Sequence, residues 1–70
     1  MLGDYLREYR KSHALSQRDL GKLLGITSIT ISNIENYKIR AGSRVLKSIA
    51  LNLNIDILEV AKLNENNKQA

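Results

Sequence analysis

The sequence contains no cysteine, proline, tryptophan or phenylalanine, and only 4 glycines in 70 residues. Without cysteine, neither a disulfide framework nor a thiolate zinc site can staple so short a chain. The one histidine, His13, cannot build a metal site alone. With so few turn formers there is room for few turns, which favours helices. No apolar run approaches the roughly 20 residues of a membrane span, and Asp4 interrupts anything like a secretion signal. A cytoplasmic location without a membrane partner is therefore expected. A chain of this size makes one small domain that buries only roughly 60 % of its unfolded surface, too little for a large cleft. No nucleophile–base pair, paired carboxylates or phosphate-binding glycine loop is present, so no enzyme, cofactor or metal site is expected.

What is present is an ordinary globular share of hydrophobic residues, 43 %, and a net charge of +4. The charge is unevenly placed. Lys38, Arg40, Arg44 and Lys47 lie between Asn36 and Lys47 with no acid among them, while the remaining seven basic residues are balanced by seven acidic ones. Such a stretch is either a solvated loop with a lysine-rich helix start or a phosphate-facing edge; beside otherwise neutral helices, the second explains it better.

Hydrophobic spacing predicts five helices. Leu2, Leu6 and Tyr9 recur at i, i+4, i+7 through Ser12. Ser16 and Asp19 form a capping-box signature opening a second helix, whose Leu20, Leu23 and Leu24 share a face and whose exit is Gly25. Thr27 can cap a third segment. Here the signals conflict, because Ser28-Ile-Thr-Ile-Ser32 alternates polar and β-branched apolar residues like a strand. One strand in a short helical chain has nothing to pair with, so Ser28 to Asn36 is read as helix. A basic loop spans Tyr37 to Gly42. Ser43 is placed to cap a fourth helix carrying Leu46, Ile49, Ala50 and Leu53, and Asp56 with Glu59 forms a capping-box signature for a fifth, ending near Leu63. The polar residues 64–70 are expected to be a tail or the start of a linker, which bounds the domain at 1–63.

Two helices crossing through a tight turn make fixed steric demands. A small residue must stand where the backbones approach, and Gly21 stands there; the turn must tolerate positive φ, and Gly25 does. Leu20, Leu24, Ile26, Ile31 and Ile34 pin both helices to a core. If Ser28–Asn36 is helical, Ile31 and Ile34 face inward, and Ile29, roughly 200° from Ile31 at about 100° per residue, faces outward with Ser32, Asn33 and Asn36. There Ile29 could meet a thymine methyl in a major groove, Asn33 could pair with adenine, and Ser28 could bond several base edges. Gln17 stands at the amino end of the second helix, where free N–H groups favour a phosphate.

The run Leu15-Ser-Gln-Arg-Asp-Leu-Gly-Lys-Leu-Leu-Gly-Ile-Thr-Ser-Ile-Thr-Ile-Ser-Asn-Ile-Glu35 resembles the Cro and phage-repressor type helix-turn-helix family. Leu6-Arg7, Arg10 and Leu46-x-x-Ile49-Ala50-x-x-Leu53 extend the match, without gaps, to nearly the whole chain. The resemblance implies an all-α, five-helix, lambda-repressor-like fold of prokaryotic or phage origin. It also implies a sequence-specific regulator of transcription, a repressor that binds a two-fold symmetric double-stranded DNA operator as a dimer. The positions that most often read bases in the family are those of Ser28, Ile29 and Asn33, with Ser32 a weaker candidate. Gln17 and Asn36 bracket the groove, and Lys38, Arg40 and Arg44 follow the adjacent backbone. An arginine of the first helix often pairs with the glutamate ending the third, here Arg10 and Glu35, which would aim the guanidinium near a phosphate. Arg18 and Lys22 read as solvated charges. The family's usual glycine after Glu-Asn is Tyr37 here, and its usual proline in the basic loop is Ala41.

Two other uses of such a fold are an antitoxin that represses its own operon and a module that binds a protein partner without DNA. Duplex binding that weakens steeply with salt separates the DNA binders from the last. Ile57, Leu58, Val60, Ala61 and Leu63 spread over roughly 220° of the fifth helix, wider than one core-facing stripe. The surplus is either scattered exposure near a chain end or a self-complementary patch centred on Ile57 or Leu58. A patch that small gives a homodimer that is weak in the absence of DNA.

Overall fold

The computed structural model describes residues 1–68, and among them the chain forms five helices and no strand. They are α1 (Leu2–Ser12), α2 (Gln17–Leu24), α3 (Ser28–Glu35), α4 (Ser43–Asn52) and α5 (Ile57–Glu65). The alternating stretch Ser28–Ser32 is helical, as its lack of a pairing partner requires. Local propensity is outweighed by burial of Ile31 and Ile34, both without accessible surface, against α1 and α2.

Helix starts follow the polar caps in part. The Ser16 hydroxyl accepts from the Asp19 N–H at 3.0 Å and the Asp19 carboxylate accepts from the Ser16 N–H at 3.1 Å, closing the capping box. Thr27 accepts from the Thr30 N–H at 3.1 Å. Ser43, expected as a cap, is instead the first residue of α4. Gly42 takes the capping position with its backbone alone, in an extended conformation, its carbonyl accepting from the Leu46 N–H. Asp56 caps α5 by accepting from the Leu58 N–H at 2.8 Å, and Glu59 makes no return bond, so only half of the expected box forms.

Gly21 lies where α2 meets the turn, and a Cβ there would stand 2.6 Å from the Ile26 carbonyl oxygen, closer than real Cβ atoms come. Gly25 then leaves α2 with φ 73°, and the Ile26 N–H closes the turn on the Gly21 carbonyl. The core takes Leu2 and Leu6 from α1, Leu20 and Leu24 from α2, Ile31 and Ile34 from α3, Ile49 from α4 with Leu53 at its exit, Val60 from α5, and Ala41 from the loop. Leu23, expected on the same face as Leu20, is 43 % exposed because it sits on the flank of that stripe. Ile26, Leu46, Ala50 and Leu63 pack against the core and are only partly covered.

The chain end departs most from expectation. α5 runs on to Glu65, and Asn64 and Asn67 are buried, not parts of a solvated tail. A polar run carries no apolar stripe, so its burial leaves no trace in hydropathy; here hydrogen bonds to main chain stabilise it. Residues 69–70 of the expected tail lie outside the described residues.

Candidate nucleic-acid interface

α3 presents an uncharged face to solvent. Ser28 is exposed, Ile29 is 71 % exposed, and Ser32 and Asn33 are half-buried beside them. The Ser28 hydroxyl and the Asn33 carboxamide have no hydrogen-bond partner among the described residues, so their donors and acceptors are free for a ligand. Ser32 differs, because its hydroxyl accepts from the Asn36 amide at 3.2 Å. Asn36, exposed, occupies the C-cap of α3.

Beyond Asn36 come Lys38, Arg40 and Arg44, all exposed, and Lys47 on α4. None pairs with an acidic side chain among the described residues. The excess charge found in the sequence therefore stands without counter-charges, beginning at Lys38, two residues after the C-cap of α3.

What aims α3 is Glu35. Its side chain is 1 % exposed, yet it is ionised, because cations and donors surround it. Arg10 of α1 grips it with two bonds, Nε to Oε2 at 2.6 Å and Nη2 to Oε1 at 2.8 Å. Arg7, one turn earlier, donates to the Glu35 carbonyl at 2.7 Å and places its Nε 3.6 Å from Oε1. The amide of Gln17 in α2 reaches Oε1 at 3.4 Å. Burial pushes the carboxyl upward, but the bonds from Arg10 and Gln17 and the two guanidinium charges outweigh it and hold the group below the usual glutamate range. One carboxylate thus fastens the end of α3 to α1 and to the start of α2.

The Arg10–Glu35 pair is the one expected, and the cluster adds partners at two of the positions singled out in the sequence. Gln17, at the amino end of α2, is half-buried with its amide on Glu35. Arg10 also donates to the Leu15 carbonyl at 3.2 Å, so three of its donor atoms serve the protein itself. The part played by Arg7 was missed, although Arg7 and Arg10 are three apart, a spacing that puts both on one helix face. Also missed was Tyr37, whose hydroxyl donates to the Asp4 carboxylate and, as the largest cause, holds that acid below its ordinary range. Ile57 and Leu58 lie on α5, 44 % and 72 % exposed, with Leu51 of α4 82 % exposed. No helix among the described residues is long and apolar enough to cross a membrane.

A helix-turn-helix family model matches residues 6–60. A 10 kDa protein of the ImmF control region of Bacillus phage phi105 is 34 % identical over 64 residues, covering 91 % of this chain and 70 % of the phage protein. No solved structure matches the chain significantly. The matched span covers the Glu35 cluster, the α2–α3 turn and the outward face of α3, and the chain belongs to the Cro and phage-repressor type helix-turn-helix family of DNA-binding regulators.

Proposed function

We propose that the protein is a repressor of transcription that binds a two-fold symmetric operator as a homodimer, with α3 of each copy in a major groove. The observation that carries this reading is the uncharged outward face of α3, with Ile29 exposed and Asn33 unpartnered, bordered by a basic edge without counter-charges. Ser28, Ile29 and Asn33 read base edges, with Ser32 a lesser contact because its hydroxyl is shared with Asn36. Lys38, Arg40 and Arg44 lie along the phosphates and fix register. Gln17, Asn36 and Arg10 flank the groove; Gln17 and Arg10 act through Glu35 as well as through any phosphate. Occupying a promoter is sufficient for repression, and a relative from a phage control region fits that role.

Selection of bound sequences from a random duplex pool tests the reading. Asn33→Ala should cost roughly 1–3 kcal/mol at the selected site and relax preference at one base pair of each half-site, an A·T pair. Replacing thymines by uracil one at a time should expose the Ile29 contact as a loss at one position. Lys38→Ala and Arg40→Ala should weaken all duplexes alike and lower the salt slope by about one each. No selected sequence, and no salt-sensitive duplex binding, would overturn the assignment.

A further inference from the structure

The loop Lys38–Gly42 carries two of the cations assigned to phosphate, yet it contains no helix or strand to hold it. At its start the Lys38 N–H bonds the Asn33 carbonyl at 2.9 Å, and at its end the Gly42 carbonyl accepts from Leu46. Between them Ile39, Arg40 and Ala41 make no main-chain hydrogen bond among the described residues. Two asparagines from the chain end make them instead. Asn64 accepts from the Ala41 N–H at 2.7 Å and donates to the Ala41 carbonyl at 2.9 Å, a two-point pairing like one rung of a β-ladder. Asn67 donates to the Ile39 carbonyl at 2.8 Å and, with the same nitrogen, to the Ile34 carbonyl of α3 at 3.0 Å. Its oxygen accepts from the Gly3 N–H at 2.7 Å.

Both carboxamides are buried, Asn67 completely, and a buried amide is tolerated only where its bonds are made. All five bonds run to main-chain atoms, so they fix a path for the backbone whatever side chains it carries. The Ala41 pairing needs an N–H at that position, which a proline there would lack. The Asn67 amide links the loop directly to the last turn of α3, so the basic edge and the outward face of that helix share one anchor.

We infer that Asn64 and Asn67 are positioning residues for DNA binding, a clamp that holds Lys38 and Arg40 in register with α3. The inference rests on the assignment of that loop to phosphate. It makes the residues beyond the last apolar position of α5 part of the interface machinery, although neither asparagine touches DNA.

Hydrogen exchange on the whole chain reads the clamp without DNA. The Ala41 amide should be protected although it lies in a loop, and should exchange much faster in Asn64→Ala; an unprotected Ala41 in the parent protein overturns the clamp. Asn64→Ala and Asn67→Ala, checked for helix content, should bind a non-specific duplex about tenfold more weakly, with the salt slope lower by about one and base preference unchanged. A role in stability alone would lower the active fraction and leave the slope unaltered, and that result, like parental affinity in a folded variant, overturns the inference. Should neither variant fold, an unprotected Ala41 in the parent still overturns the inference by removing the clamp. Lys38→Ala and Arg40→Ala in the parent serve as the control: if they leave duplex binding intact, the phosphate assignment itself has failed.

Discussion

Three elements of the fold converge on the carboxylate of Glu35, which is buried and ionised at once. Such a group is strongly destabilising if a partner is removed, because the charge is stranded away from water. Arg10→Met should cost about 3 kcal/mol in urea denaturation, the low end for breaking a buried pair, since Arg7 and Gln17 remain. The pH dependence identifies the cause. In the parent, Glu35 titrates below its unfolded value, so its contribution is present above the unperturbed pKa of about 4.3 and is lost as pH falls through the lower folded value. In Arg10→Met, burial is less opposed and the carboxyl protonates more readily in the folded state. The stability gap between variant and parent should therefore narrow as pH is lowered toward and below about 4.3. A gap that stays constant from neutrality to acid would place the cost in lost packing of the arginine stem and not in the charge.

At the scale of helices, four of the five leave through a left-handed residue, and only one of the four residues is glycine. Gly25 has φ 73°, while Ala14, Tyr37 and Asn54 have φ 53°, 60° and 55°. After each, an N–H turns back onto the helix: Leu15 to Arg10, Lys38 to Asn33, and Ile55 to Ala50. For a residue with a Cβ that conformation costs about 1–2 kcal/mol. The Tyr37 side chain has a partner in Asp4, whereas the Ala14 side chain is exposed and has none. Ala14→Gly should raise stability by about 1 kcal/mol, which in a domain of this size lifts the melting temperature by roughly 4–8 °C. An unchanged or lower midpoint would show that the flexibility glycine adds to the unfolded chain cancels the relief. These exits also mark what the sequence could and could not convey. Gly25 was legible, as were the Ser16 and Thr27 caps and the crossing at Gly21, because each is a residue type with one steric or hydrogen-bonding use at that spacing. Ala14 carries no sign of positive φ, because alanine has no use specific to that conformation and only local helix-exit bonds close the turn there, whereas at Tyr37 the one sign is the glycine usual in the family at that position. The outward face of α3 followed from helical geometry alone, and the Arg10–Glu35 pairing from family resemblance. The loop path, held by Asn64 and Asn67, depends on contacts more than 20 residues apart in sequence that no local pattern encodes.

For the whole molecule, size constrains how a symmetric site can be read. The principal extents of the chain are 28 × 24 × 20 Å, and successive major grooves on one face of a duplex lie about 34–36 Å apart. One copy is too short to present reading helices to both, so the proposed operator needs two. The proposed contact is the start of α5, where Leu58 is 72 % exposed and Ile57 44 % exposed, with neither needed by the core that Val60 completes. A two-fold axis through such a patch sets each residue against its own counterpart's neighbourhood, so one substitution acts twice. Leu58→Glu places two like charges in that contact while leaving the buried residues untouched. The variant should keep its melting temperature and its affinity for an isolated half-site, and lose cooperative filling of a palindromic site. Because the patch is small, the parent protein should be largely monomeric in free solution, with sedimentation showing pairing mainly when duplex is present. If Leu58→Glu and Ile57→Glu both fill the palindrome as cooperatively as the parent, the two copies meet through another surface.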